Sequence, residues 1–560
     1  MTILNRIFNS RTNGFTSAAL LISFFTVLNG VFGLLRDRLL AGRFGASGDL
    51  DIYFAAFRIP DFLQAVLVAG GITAAFLPVF SQEFEKGKEK AFRFSNNILN
   101  SSLFLLSIIC FLLVFFIPQA LKLVAPGFSL EQRQKTVVLT RIMLLSPILF
   151  SLSTVFSGIL HYFDKFLVYS LTPILYNLGI ILGILFFVPV FGTYGLALGV
   201  ILGAFLHFLI QVPAAYSSGY RYSKILDFKD AALKRLLKLT IPSSVGSALT
   251  QINLIVITAL CSTLIPGSIA IFNFSKNLQY FPVSIIGVPF AISAFPILSR
   301  SWAFGDKKKL WNCFSLVFRQ ILFLALPLSV LIFVLRGQIV RVVLGAGKWG
   351  WLETRLTAGC LGIFSLSIFT FSLVPFFQKS FYSIHDTKTP TILQIVNVFL
   401  NIAFSLLFLL LLGFPNAFSN FITGFLKLRD IKNIQVLAFP LALTFSGFFQ
   451  GSFLFFIFVK KIGFVGLKEI FNSLKKILIL AFLAGSGAWF SLRFLTKIFS
   501  LITFWGVFFQ SLFGFLFGAL IYFGGAAFLG LPEFKNLKKS ALKTIGPQRL
   551  RFLENLCKRF

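Results

Sequence analysis

Apolar runs long enough to cross a bilayer, about 18 residues or more, recur along the whole chain, each bounded by charged residues or by Gly/Pro clusters. They fall near 15–35, 52–80, 98–120, 136–162, 166–190 and 194–215, then near 241–266, 267–297, 314–335, 357–380, 390–413 and 434–459, with two more near 477–495 and 500–530. This pattern predicts an all-α polytopic membrane protein of about 14 transmembrane helices. The first six spans make a lobe over 1–215, the second six a lobe over 241–460, and a last helix pair occupies 461–530. Between the lobes, the 216–240 connection carries Arg221, Lys224, Lys229, Lys234, Arg235 and Lys238, with an apolar spacing that predicts an amphipathic helix on the cytoplasmic interface. The 531–560 tail holds eight Lys/Arg together with Leu542, Ile545, Leu550, Phe552 and Leu553, and predicts a second surface helix against anionic lipid.

Composition agrees with the pattern. Of 560 residues, 57% are hydrophobic and only 12% charged, which excludes an ordinary soluble enzyme. The net charge of +33 follows membrane topology rather than nucleic acid binding. Of the 51 Lys and Arg, 32 fall in the N-terminus, the even-numbered connections and the C-terminal tail, against 14 in the odd-numbered connections. Because cytoplasmic loops hold the excess, both termini are expected in the cytoplasm. No cleavable signal pattern precedes the first span. The five cysteines share no CxxC spacing and the three histidines lie far apart, so neither disulfide nor metal chemistry is expected. No Walker loop is present, and no cofactor is called for. A membrane transferase would need paired carboxylates at an aqueous face; none appears, and an enzyme is not expected.

The chain also repeats itself. Thr172-Pro173 in TPILYNLGIILG recurs as Thr389-Pro390 in TPTILQIVNVFLN at an offset of 217, and Pro78 and Ser81 in PVFS recur as Pro296 and Ser299 in PILS at an offset of 218. The same 218 offset carries Arg58 onto Lys276. An offset matching the spacing of the six-helix groups indicates a duplication. Six spans being even, both copies insert the same way up, giving a parallel repeat about an axis along the membrane normal.

Charges inside spans are the informative residues, since each costs about 2.5–3.5 kcal/mol at a helix centre on insertion scales. The first span ends in GVFGLLRDRLL, with Arg36 and Asp37; the second begins GDLDIYFAAFRIPDF, with Asp51, Arg58 and Asp61 on roughly one helical face and Pro60 placed to kink it. The eighth span carries Asn273, Lys276, Asn277 and Gln279. These predict a cationic cavity in which Arg36, Arg58 and Lys276 meet an anion, while Asp37, Asp51 and Asp61 keep the empty cavity neutral. Arg suits phosphate because its planar fork donates two parallel hydrogen bonds.

The stretches GLLRDRLLAGRFGASGDLDIYFAAFRIPDF, GITAAFLPVFSQEF, LVAPGF at 123–128 and GSIAIFNFSKNLQYFPVSIIGVPFAISAFPILS resemble the MurJ (MviN) family, the lipid II flippases of the multidrug/oligosaccharidyl-lipid/polysaccharide exporter superfamily. The resemblance covers roughly the first 460 residues in order. It implies two lobes around a central cationic cavity and a last helix pair forming a lipid-tail groove. The activity it implies is movement of undecaprenyl-diphosphate-linked disaccharide-pentapeptide, lipid II, from the cytoplasmic to the outer leaflet of the bacterial inner membrane, by alternating access, in peptidoglycan biosynthesis. The implied partners are lipid II and membrane lipids, with the chain a monomer. Arg36 and Asp37 match the family's Arg-Asp, Asp51 its acidic start of the second helix, and Arg58 its Lys or Arg. Gly30 and Gln64 stand where the family has Arg, Ala69 where it has Glu, and Asn277 where it has Arg, with Lys276 one position earlier. Gln64 and Asn277 thereby join Arg36, Arg58 and Lys276 as substrate-binding candidates. The family's sodium position has an amide, Asn401, in place of a carboxylate, so no metal is expected. The alternatives are a flippase for another polyprenyl-diphosphate-linked glycan, or a drug exporter of the same superfamily.

Overall fold

The computed structural model describes residues 15–463 and 467–545, and every regular element among them is helical. That is what hydrocarbon demands, since a spanning helix satisfies its own backbone polar groups where no water can. In chain order the helices are α1 Phe15–Phe44, α2 Gly48–Ala56, α3 Arg58–Leu63, α4 Thr73–Glu85, α5 Lys88–Val124, α6 Leu130–Met143, α7 Leu145–Tyr162, α8 Phe166–Leu182, α9 Val188–Phe191, α10 Tyr194–Leu209, α11 Gln211–Ser217 and α12 Ala231–Ser262. They continue as α13 Ser268–Ala303, α14 Lys307–Leu344, α15 Trp351–Ser365, α16 Ile368–Ser383, α17 Lys388–Gly413, α18 Ala417–Leu426, α19 Ala438–Ile462, α20 Leu467–Leu495, α21 Phe504–Phe528 and α22 Pro532–Ile545.

Among the described residues 11 helices are long and apolar enough to span a membrane, or 12 if α15 and α16, bent by 47°, make one span. Length and composition alone do not confirm the expected count of fourteen. One reason is that the run at 52–80 is not a single helix. Pro60 has no N–H for the Ala56 carbonyl and its ring crowds that carbonyl, so the chain breaks at Phe57 and restarts as α3. A π-helical stretch, Gln64–Ile72, then separates α3 from α4.

The 216–240 connection also differs from expectation: it is helical only at its ends, in α11 and from Ala231 onward. Three asparagines on α5 supply the hydrogen bonds that a helix would have made internally. Asn96 Nδ2 donates to the Arg221 carbonyl at 2.9 Å, Asn97 Nδ2 to Asp227 at 2.8 Å, and Asn100 Nδ2 to Ser223 and Ile225 at 3.0 and 2.9 Å. The expected tail helix corresponds in part to α22; residues 546–560, with Leu550, Phe552 and Leu553, lie outside the described residues, as do the side chains of Leu542 and Ile545.

The chain forms two compact units. One comprises the described parts of Met1–Ser275 with Val343–Cys360 and Gln394–Ala442; the other comprises Lys276–Val342, Leu361–Leu393 and those of Leu443–Phe560. In the first, α8 and α10 pack through glycines one turn apart. A Cβ on Gly179 would lie 2.2 Å from the Gly203 Cα, and one on Gly183 would lie 2.4 Å from the Gly199 Cα. Small residues at i, i+4 let two backbones meet where lipid offers no hydrophobic drive. This contact fixes the two helices that carry Asn177, Ser170 and His207.

The second unit is built on α14. Phe314 stacks on Phe458 at 4.6 Å and on Phe376 at 5.1 Å, and the Tyr522 hydroxyl donates to the Phe323 carbonyl at 2.7 Å. Gly485 of α20 and Gly518 of α21 face Val330 and Leu331, which seats the last helix pair against α14. Glu533, at the start of α22, is held by Arg319 at 3.4 Å and by the Ser473 hydroxyl at 2.7 Å. Much of the chain's complement of 77 Phe is spent this way, on ring stacks that fill space without adding a polar atom to satisfy.

Candidate functional site

Arg36 lies three-quarters of the way along α1. Its Nε and Nη2 donate to Asp37 Oδ1 at 3.0 and 2.7 Å, and its Nη1 donates to Asn177 Oδ1 on α8 at 3.0 Å. The Arg36 side chain keeps 21% of its surface, whereas that of Asp37 keeps 4%. The pair is therefore a buried carboxylate neutralising a guanidinium that still has an open side. Asn177 in turn donates to Asn29 Oδ1 at 2.9 Å, tying Arg36 back to its own helix two turns earlier.

Arg58 starts α3, at the break that Pro60 imposes. Its Nε donates to Thr258 Oγ1 on α12 at 2.7 Å and its Nη2 to Asn273 Oδ1 on α13 at 2.8 Å. Both acceptors are neutral. Both are anchored, Thr258 by donating to the Leu254 carbonyl at 2.8 Å and Asn273 by donating to the Ile269 carbonyl at 2.7 Å. Arg58 is 4% exposed, so three helices converge on one buried charge.

Asp51 was expected beside Arg58, and the structure corrects that. Its two carboxylate oxygens accept from the backbone N–H groups of Gly267 at 2.6 Å and Ala270 at 2.9 Å, capping the start of α13. The first-turn amides of a helix are orphan donors at the positive end of its dipole, and they outcompete a guanidinium already satisfied elsewhere. Gly267 is required here: its φ is +91°, and a Cβ would sit 2.3 Å from the Ala46 carbonyl oxygen.

Asp61 is half-buried one turn beyond Arg58, its own N–H bonded to the Phe57 carbonyl at 2.8 Å. Lys276 and Asn277, both half-buried, continue α13 one turn past Asn273 and open the second unit. Gln279 further along donates to Ser367 at 3.1 Å. Gln64 lines a cavity of about 350 Å³ within the first unit, together with Asn29. Arg36 and Arg58 thus sit in separate hydrogen-bond sets. Asn177, Asn29 and Thr258 were missed by the sequence reading, although the signal for Asn177 was present as a polar residue inside the repeated TPILYNLG run.

A second cavity, about 550 Å³ and almost wholly apolar, lies between α20 and α21, lined by Phe490, Phe494, Phe513, Leu516, Phe517 and Leu520.

Apolar helices long enough to span a membrane, with Arg58 buried among them and Arg36 half-buried, define a polytopic membrane protein with charge held inside its spans. Residues 40–509 match the family described as lipid II flippase MurJ, and the chain belongs to that family. It is 28% identical over 396 residues to the probable lipid II flippase MurJ of Borreliella burgdorferi, covering 70% of this chain and 78% of the relative. It is 30% identical over 386 residues to that of Buchnera aphidicola subsp. Acyrthosiphon pisum, covering 68% and 75%. The fold is shared with a solved lipid II flippase MurJ in an inward closed conformation, at a TM-score of 0.71 and 24% identity over 91% of this chain and 98% of that one. It is shared too with an inward-facing multidrug resistance MATE transporter of the MOP superfamily, at 0.61 and 14% over 79% and 98%.

Proposed function

We propose that this protein flips lipid II from the cytoplasmic to the outer leaflet of the bacterial inner membrane, with both termini in the cytoplasm and the chain acting as a monomer. The observation that carries this reading is membership of the lipid II flippase MurJ family over 40–509. Arg36 and Arg58 supply what a diphosphate headgroup needs, forked donors in a site sheltered from bulk water. Lys276, Asn277 and Gln64 complete the substrate-binding set, with Asp37 and Asp61 as charge partners.

The two arginines take different parts. Arg36 is held by a carboxylate, which a phosphate must compete with. Arg58 donates its hydrogen bonds to a hydroxyl and an amide oxygen, with the Asp61 charge acting on it as well. Hydrogen bonds between two ionised groups are about twice as strong as neutral ones, so an arriving phosphate draws Arg58 away from Thr258 and Asn273. That exchange releases α3 from α12 and α13, which gives anion binding a differential contact between two states, as alternating access requires. The lobes over 1–215 and 241–460 rock about the bound headgroup, and the apolar cavity between α20 and α21 seats the polyprenyl tail. Rescue of a strain depleted of its own lipid II flippase tests the function; failure to rescue at normal membrane levels overturns it.

A further inference from the structure

The cavity of about 350 Å³ in the first unit lies at the small end of the range for small-molecule sites, about 300–1,000 Å³. It is walled by α1, the π-helical stretch, α7, α8 and α10, and none of its lining residues carries a carboxylate, an ammonium or a guanidinium. Its polar lining is hydroxyl and amide, including Thr26, Asn29, Gln64, Thr154, Ser157 and Thr172, with His207. The hydroxyl hydrogens of Thr26 and Thr154 are committed to the Ile22 and Phe150 carbonyls at 2.8 and 2.9 Å, and that of Ser157 to Gln211 Oε1 at 2.7 Å, so these oxygens remain as acceptors. Ser170 lines the cavity too; it is 7% exposed and its Oγ has no hydrogen-bond partner. Phe25, Phe150 and Tyr169 add ring surface to the same wall.

The geometry points to a sugar subsite: this cavity takes the uncharged N-acetylhexosamine attached to the diphosphate of the substrate, an inference that rests on the lipid II reading above. A ring bearing hydroxyl donors and an amide matches a wall of acceptors and aromatic faces. The peptide part of the headgroup carries carboxylates and an amine, for which this wall has no counter-charge. The position agrees as well. Asn29 lines the cavity, accepts from Asn177, and Asn177 accepts from Arg36, so two hydrogen bonds connect the cavity to the guanidinium assigned to the diphosphate. In the substrate the same two groups are directly bonded.

The test uses the full chain in nanodiscs with two probes, undecaprenyl diphosphate and undecaprenyl diphosphate carrying one N-acetylhexosamine and no peptide. Wild type is expected to bind the glycosylated probe at least tenfold tighter. Ser170→Leu, which fills the cavity, should erase that preference while leaving the affinity for undecaprenyl diphosphate within twofold. Thr26→Val, which keeps the side chain's shape and removes an accessible acceptor oxygen of the same wall, should reduce the preference severalfold and guards against misfolding of the larger variant. Equal affinity of wild type for the two probes, or an undiminished preference in both variants, overturns the sugar subsite. Wild type that binds neither probe overturns the lipid II reading itself and the subsite with it.

Discussion

Truncating Arg58 separates the role of its charge from the role of its fork. In Arg58→Ala two charge-assisted hydrogen bonds disappear, those to Thr258 Oγ1 and Asn273 Oδ1. Each is worth about 1.5–3 kcal/mol where the donor is ionised. The loss in stability is smaller than their sum, because a buried guanidinium that is 4% exposed no longer has to be desolvated. Thr258 and Asn273 also keep their own bonds to helix carbonyls. The variant is therefore expected to insert and accumulate while failing to transport. Arg58→Lys keeps the charge but, with one nitrogen in place of a fork, reaches one of the two acceptors. Against the anion, too, lysine offers one hydrogen bond where the fork offers two, and losing one such bond corresponds to a deficit of about 10- to 150-fold in the population holding the anion. The assay is rescue of a flippase-depleted strain, with membrane levels measured alongside, and lipid II translocation in proteoliposomes. Alanine should be null and lysine partial; Arg58→Ala transporting at the wild-type rate and level would refute the exchange mechanism.

Further outcomes follow from other contacts. Asp51→Ala leaves the first turn of α13 without its cap and should lower stability by about 1–2 kcal/mol, read as a reduced melting temperature; an unchanged value contradicts the capping role. Gly183→Leu forces α8 and α10 apart at a 2.4 Å approach and should abolish accumulation of folded protein, measured by size-exclusion of a fluorescent fusion. In a cysteine-free background, Phe191→Cys should label from outside the cell and Glu85→Cys should not; the reverse pattern overturns the topology. Burial pushes the Asp386 carboxyl up, but hydrogen bonds from Lys461 and Thr389 prevail and hold it below the usual carboxylate range. The stability that this pair contributes is present above the unfolded carboxylate value of about 4 and is lost as pH falls through the lower folded value. Asp386→Asn should remove that acid-dependent increment from a pH series of melting curves.

The chain's pattern made the membrane bundle and its charged helices legible, because an apolar run and a misplaced charge are both local features. Arg36 and Asp37 stood out as charges inside a span, and the two side chains pair. What could not be read was partner choice across helices. Asp51 and Arg58 lie on one face of an ideal helix, yet Pro60 ends that helix between them and the amides of α13 claim the carboxylate. The same limit applied to 216–240, whose apolar spacing suits a helix until the asparagines of α5, over a hundred residues earlier, offer its backbone other partners. The glycine contact of α8 and α10 has a sequence signal of its own, G-x-x-x-G spacing at Gly179 and Gly183 and at Gly199 and Gly203, but no charge marks it.

The central claim is that Arg36 and Arg58 hold the diphosphate of a lipid-linked headgroup during its passage across the membrane. The most direct measurement is translocation of fluorescent lipid II in proteoliposomes containing only the purified chain, for wild type and for the Arg36→Ala, Arg58→Ala double variant. Movement by wild type that the double variant lacks, at equal reconstitution, is the predicted result; equal movement by both would contradict the account.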